Sequence, residues 1–181
     1  MMQFLIDGHR SRVAFRAVQW PEGVRGQLLT PLTRYSRGHS VYAIDNGCFS
    51  SFREANFRSL LRREHHVRAD ALFVCVPDKV GSHRRTLELW GEHRHLVDGY
   101  KAAFVAQDGY DGFPNGAEAL FIGGTDAFKN SSDCVNACVE ARSQGLHVHI
   151  GRVNGPERFL RFMSIADTCD GSGVSRYDHM I

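Results

Sequence analysis

Segments that read as buried strands recur about eight times along this chain, and several are separated by stretches with helical spacing. They lie at residues 13 to 17 (VAFRA), 27 to 30 (QLLT), 41 to 45 (VYAID), 71 to 76 (ALFVCV), 102 to 106 (AAFVA), 119 to 122 (ALFI), 147 to 151 (HVHIG) and 165 to 170 (IADTCD). Alternating β and α units imply parallel strands joined by right-handed crossovers, and eight such strands close into a barrel. The expected fold class is α/β: a compact, irregular TIM-type (β/α)8 barrel. At 181 residues it is shorter than the roughly 250 typical of that architecture. The first strands are expected to be joined by Pro- and Gly-rich loops in place of full helices.

Helix signals support this pattern. Ser51 and Glu54 form a capping box ahead of Phe52, Ala55, Leu60 and Leu61. The next helix carries Leu87, Trp90 and Leu96 on one face. A third starts near Ser131 to Asp133, is expected to bury Cys134, Val135, Cys138 and Val139, and stops at Gly145. The tail GVSRYDHMI is short for a closing helix. The N-terminal segment, or a second subunit in a homodimer, is expected to cover that gap.

A chain of this length that is 43% hydrophobic supports one core, so residues 1 to 181 are expected to form a single domain. No stretch approaches the roughly 20 apolar residues of a membrane span, and MMQFLIDGHR lacks the apolar region of a signal peptide. The expected location is the cytoplasm, or the host cytoplasm for a phage-encoded chain. Five cysteines without a regular framework suit reduced thiols. Cys134 and Cys138 share a helix face, but nothing nearby completes a four-ligand zinc set, so no metal and no cofactor is expected. The net charge of +2 excludes neither nucleic acid nor a small molecule. Basic clusters at 61 to 68, 82 to 85 and 92 to 95 suit phosphate contact and equally suit solvated outer helix faces.

Three strand-like segments end in aspartate: Asp45, Asp78 and Asp170. In parallel α/β barrels the C-terminal rim of the strands is where catalytic groups collect. That rim would carry these carboxylates with Gln107 and the backbone of Gly123 and Gly124. One carboxylate can attack an anomeric carbon while another handles the leaving group's proton. An Asp, a Gln and glycine amides also match the hydrogen-bonding edge of a purine such as guanine. Each aspartate taken singly reads more simply as a helix cap or turn closer; it is the three together, with Gln107 and the Gly-Gly strand end, that point to a site. Phe49, Tyr110 and Phe128 follow rim segments, where core packing or loop anchoring is the commoner use of an aromatic.

The order of segments from about residue 40 to 176 resembles the tRNA-guanine transglycosylase superfamily, including phage and bacterial members that exchange guanine for a 7-deazaguanine in DNA. AIDNGCFS resembles the family's Asp-Ser-Gly-Gly-Phe segment, CVPDKVG the strand end whose aspartate reads the guanine edge, FVAQDG the Val-Gln-Gly segment and FIGG the Gly-Gly turn. HIGRVNGPERFLRFMSIADTCDGSGVSR resembles the run from Gly-Val-Gly-x-Pro-Glu-Asp-Leu to Asp-Met-Phe-Asp-Cys. The resemblance implies Asp170 as nucleophile, Asp45 as acid and base, and Asp167 as the motif's other aspartate. It further implies that Asp78, Gln107 and Gly123 or Gly124 meet the base, while Arg152 and Arg176 hold flanking phosphates, with Arg84 and Arg85 as further candidates. Asn46, Cys48 and Asp108 depart from the family pattern, and no counterpart of the C-terminal zinc subdomain is expected. The implied partners are DNA, with tRNA less favoured, and a free 7-deazaguanine base.

Other readings stay open at this point. Water in place of the incoming base would give a DNA glycosylase or nucleosidase. His147 and His149 form a His-x-His pair that would share a strand face and suit a metal-dependent hydrolase. A catalytically degenerate barrel that binds nucleic acid is the non-enzymatic alternative.

Overall fold

The computed structural model describes residues 1 to 7, 25 to 32 and 41 to 171. Eight parallel strands form one closed barrel in chain order: β1 Gln3–Asp7, β2 Arg25–Leu29, β3 Tyr42–Ile44, β4 Ala71–Cys75, β5 Ala102–Ala106, β6 Ala119–Ile122, β7 His147–Ile150 and β8 Thr168–Asp170. Closure comes from β8 beside β1, with Phe4 opposite Cys169 and Leu5 opposite Asp170. Seven strands fall on the segments expected from sequence, within a few residues at their ends. The first does not: β1 is QFLID, whose buried Phe4, Leu5 and Ile6 form an apolar run too short to stand out alone. VAFRA, the Pro- and Gly-rich connections and the C-terminal tail lie outside the described residues.

The strands read with a period of two because the barrel has two apolar sides. Inward-facing Leu5, Leu28, Ala43, Phe73, Cys75, Ala103, Val105 and Ala119 fill the interior. Outward-facing Ile6, Leu29, Ile44, Val74, Phe104, Ile122, Val148 and Cys169 pack under the helices. The helices are α1 Glu54–Glu64, α2 His83–His93, the short α3 Asp126–Asn130, α4 Ser132–Ser143 and α5 Pro156–Phe162. Among the described residues no helix is long and apolar enough to cross a membrane.

Helix ends differ from expectation where capping is local. Arg53, not Ser51, stands at the N-cap of α1, and no side chain caps it. The buried face of α1 is Phe57, Leu60, Leu61 and Glu64, while Ala55 is exposed. On α2 Trp90 is buried and Leu87 is partly exposed, with Leu96 buried in the following 3-10 turn. Ser131 does cap α4, accepting from the Cys134 N–H. The face of α4 turned to the barrel is Cys134, Ala137, Cys138 and Ala141, spaced three and four apart. Val139 falls one position off that stripe and is exposed.

Candidate active site

Because all eight strands run the same way, their C-terminal ends share one mouth. Asp45 follows β3, Asp78 lies three residues past β4, Gln107 follows β5 and Asp170 ends β8. The three carboxylates lie within mutual electrostatic reach: burial first, then the charges of Asp78 and Asp170, push the Asp45 carboxyl from 3.8 up to about 7. Asp45 also accepts from the Gly47 N–H at 3.3 Å, too weak a contact to offset that crowding.

Asp78 is 9% exposed and both its oxygens are engaged. Asn46 Nδ2 donates to Oδ1 at 2.8 Å and Gln107 Nε2 donates to Oδ2 at 2.6 Å. Burial raises the Asp78 carboxyl, and these side-chain donors pull the other way. Each partner is itself pinned: Asn46 Nδ2 also donates to the Val76 carbonyl, and Gln107 Oε1 accepts from the Gly81 N–H at 2.9 Å. Cys48 Sγ accepts from the Asp78 N–H at 3.4 Å, and its thiol is pushed up to about 12 by burial and then by Asp78. Asn46 and Cys48 thus build the cradle of Asp78. Sequence reasoning missed this use of Asn46 because Asp-Asn-Gly reads locally as a turn.

Asp170 Oδ1 accepts from the Arg152 backbone N–H at 3.0 Å, and its Oδ2 lies 2.9 Å from His149 Nε2. Arg152 takes φ 58° to aim that amide, a left-handed conformation that costs a non-glycine residue on the order of 1–3 kcal/mol. Its guanidinium lies 4.7 Å from the Phe49 ring centroid, and Nη2 donates to the Gly124 carbonyl at 3.4 Å. The loops after β3 and β7 stand on opposite sides of an eight-stranded barrel, so the Phe49–Arg152 contact spans the mouth. Phe49 is 66% exposed and is not a core residue. Phe128 is buried, and Tyr110 packs against the core and donates to Glu140.

The Gly123 amide is engaged within the barrel. The Gly123 N–H is spent on the Ala106 carbonyl at 3.0 Å. A Cβ at Gly123 would stand 2.6 Å from Gln107 Nε2 and 2.8 Å from Val105 Cγ1, so the bare backbone is what lets the Gln107 amide pass to Asp78. Gly123→Ala is expected to cost about 1–3 kcal/mol of stability through overpacking and to detach Gln107 from Asp78, checked by urea unfolding. Gly124, at φ 73°, has an N–H that takes no part in that strand pairing. At Gly171 a Cβ would sit 2.2 Å from the Val153 carbonyl oxygen. That neighbour is backbone, so Gly171→Ala is expected to cost at least about 2 kcal/mol, read as a lowered urea midpoint.

Other expected residues lie elsewhere. Asp167 precedes β8 at the opposite end of the barrel, where it accepts from Arg142 Nη1 at 2.6 Å and from the Val148 N–H at 2.9 Å. It is a strand anchor away from the mouth. Arg176 lies outside the described residues. Arg85 is held by Glu88 and Glu92 on the exposed face of α2, and Arg84 is exposed. The cluster at 61 to 68 closes α1 and leads into β4, which puts it at the far end from the mouth. His147 and His149 do point inward, but both face the Thr168 hydroxyl at 2.8 Å. Among the described residues no group of three metal-ligating side chains comes together. Cys134 and Cys138 lie buried on α4 against each other.

The class defined by this geometry is a closed parallel (β/α)8-type barrel with a mouth lined by three carboxylates. No family model and no curated protein matches the chain.

Proposed function

We propose that the protein exchanges guanine in DNA for a 7-deazaguanine base through a covalent aspartyl-glycosyl intermediate. The observation that carries this reading is the division of labour among the carboxylates. Burial and the neighbouring carboxylates push Asp45 up to about 7, while Asp170 takes the Arg152 N–H on one oxygen and faces His149 Nε2 with the other, an acceptor able to attack. Pairs of carboxyl groups set apart by their surroundings are how acid and nucleophile roles separate.

In the proposed cycle an Asp170 oxygen forms a bond to C1′ as the bond from C1′ to N9 breaks. The electron pair goes to the departing guanine, which takes the Asp45 proton. Asp45, now a carboxylate, removes the N9 proton of the incoming base; that nitrogen attacks C1′ and the Asp170 carboxylate leaves. Two displacements retain configuration. Asp78 reads the N1 and N2 hydrogens of guanine with the lone pairs left over from Asn46 and Gln107. Gln107 holds Asp78 and offers its second amide hydrogen towards O6 or N7. In duplex DNA the target nucleotide leaves the stack, at about a few kcal/mol, and must part Arg152 from Phe49 to enter. Arg152 is then free to hold a flanking phosphate.

The test is incubation with guanine-containing single- and double-stranded DNA and labelled guanine or 7-deazaguanine, followed by denaturing electrophoresis. Incorporated label supports base exchange. Guanine release without incorporation assigns a glycosylase, and neither outcome across both DNAs and tRNA assigns a binding barrel; both overturn the proposal.

A further inference from the structure

Behind Asp170 an unbroken line of polar contacts runs through the barrel interior. His147 Nε2 meets Thr168 Oγ1, Thr168 Oγ1 meets His149 Nδ1, and His149 Nε2 meets Asp170 Oδ2, at 2.8, 2.8 and 2.9 Å. The strand register that places His149 directly beside Thr168 makes the line. The His149 ring is fully buried and gripped on its faces, stacked on Phe121 at 4.6 Å and tilted against Phe73 at 5.2 Å. Its side chain has no room to turn.

The direction of each hydrogen bond follows from the end of the line. Asp170 as a carboxylate only accepts, so His149 Nε2 donates. In the neutral ring, which has a single hydrogen, His149 Nδ1 is then an acceptor, and the Thr168 hydroxyl is its donor. That hydroxyl has spent its hydrogen and accepts in turn from His147 Nε2. Burial, and then the neighbouring His149, press His147 down to about 4, so its ring carries one hydrogen at neutral pH, as this pattern needs.

We infer that His149 is a positioning residue for the nucleophile, with the Thr168 hydroxyl fixing its Nε2–H tautomer. The inference rests on the base-exchange reading and adds to it the group that sets Asp170. The donor holds the carboxylate in one rotamer during attack on C1′. Whichever oxygen bonds to C1′, the other keeps its N–H, which stabilises the charge that returns when Asp170 is displaced. A line with its hydrogens all pointing one way leaves neither nitrogen of His149 free to hold a metal.

The test compares His149→Leu, His149→Gln and Thr168→Val with wild type by steady-state exchange kinetics and by 15N spectra of the imidazoles. His149→Leu keeps volume and loses the donor; it is expected to lower kcat by about 100-fold, the loss that slight misplacement of a reacting group produces, with KM for DNA little changed. His149→Gln can present an amide N–H to Asp170 and is expected to recover at least about tenfold of that, since a hydrogen bond to a charged group is the element restored. Wild-type spectra are expected to show His149 protonated on Nε2 alone, and Thr168→Val a mixture of tautomers. Unchanged kcat in a folded His149→Leu, or a wild-type Nδ1–H tautomer, overturns the inference. Should His149→Leu fail to fold, the Gln and Val variants and the spectra decide. Absence of exchange by wild type overturns the functional reading instead, and the tautomer measurement still decides whether His149 faces Asp170 as a donor.

Discussion

Asp170→Asn is expected to abolish base exchange, by about 10⁴-fold or more, as loss of a covalent nucleophile does. The amide is the same size, its oxygen can still accept from the Arg152 N–H that now meets Oδ1, and its NH2 meets His149 Nε2 once that ring takes the other tautomer. The variant should therefore fold and keep its affinity for DNA. What it loses is the lone pair that bonds to C1′. Under denaturing conditions wild-type protein should carry a covalently attached DNA strand when the incoming base is withheld, and the Asn variant should carry none. A variant that still exchanges label would place the nucleophile elsewhere and remove Asp170 from the mechanism.

The second large effect concerns Asp45 and is read in pH. As acid in the first half of the cycle, Asp45 must hold a proton, so guanine release in a single turnover should fall as pH rises through about 7. As base in the second half it must be ionised, so capture of the incoming base should rise with pH, over a lower range because Asp170, bonded to the sugar, no longer adds its charge. Opposite slopes of the two half-reactions are the signature, and Asp45→Asn should flatten both while lowering each by about 10²–10⁴-fold, the usual worth of a positioned acid or base. Asp78→Asn removes one of the charges that raise Asp45 and should move both profiles to lower pH. Stability follows the same proton. The folded chain keeps a proton on Asp45 between 3.8 and about 7 that the unfolded chain gives up, so this group makes stability fall as pH rises through that window. At about 1.4 kcal/mol per pH unit the cost of ionising Asp45 is on the order of 4 kcal/mol. Asp45→Asn should therefore melt higher than wild type at pH 8 and show little difference at pH 4.

Much of this arrangement is legible in the sequence because it is written locally. A short run of buried residues followed by a polar turn is a strand end, and Asp45, Asp78, Gln107 and Asp170 each stand at one. β1 escaped that reading because its interior contribution is short and its pairing with β8 is the longest-range contact in the barrel. The site's supports are nonlocal for the same reason. His149 looks like half of a metal pair until the register puts Thr168 beside it. Asn46 looks like a turn residue until its amide is seen on the Val76 carbonyl and Asp78. Asp167 and Asp170 look like partners in one motif, yet the three residues of β8 carry them roughly 10 Å apart along the strand axis at about 3.3 Å per residue, one to each end of the barrel.

In the proposed reaction, the crowding of the carboxylates also links proton affinity to progress along the cycle. Asp45 keeps its proton partly because Asp170 is charged nearby. Once Asp170 is bonded to sugar that charge is gone, and Asp45 becomes a stronger acid at the step where the departing guanine needs the proton. When the sugar is released the charge returns and Asp45 recaptures a proton. Asp45 thus gives up its proton most readily once a sugar has committed the nucleophile, and holds it more tightly when Asp170 is a free carboxylate again.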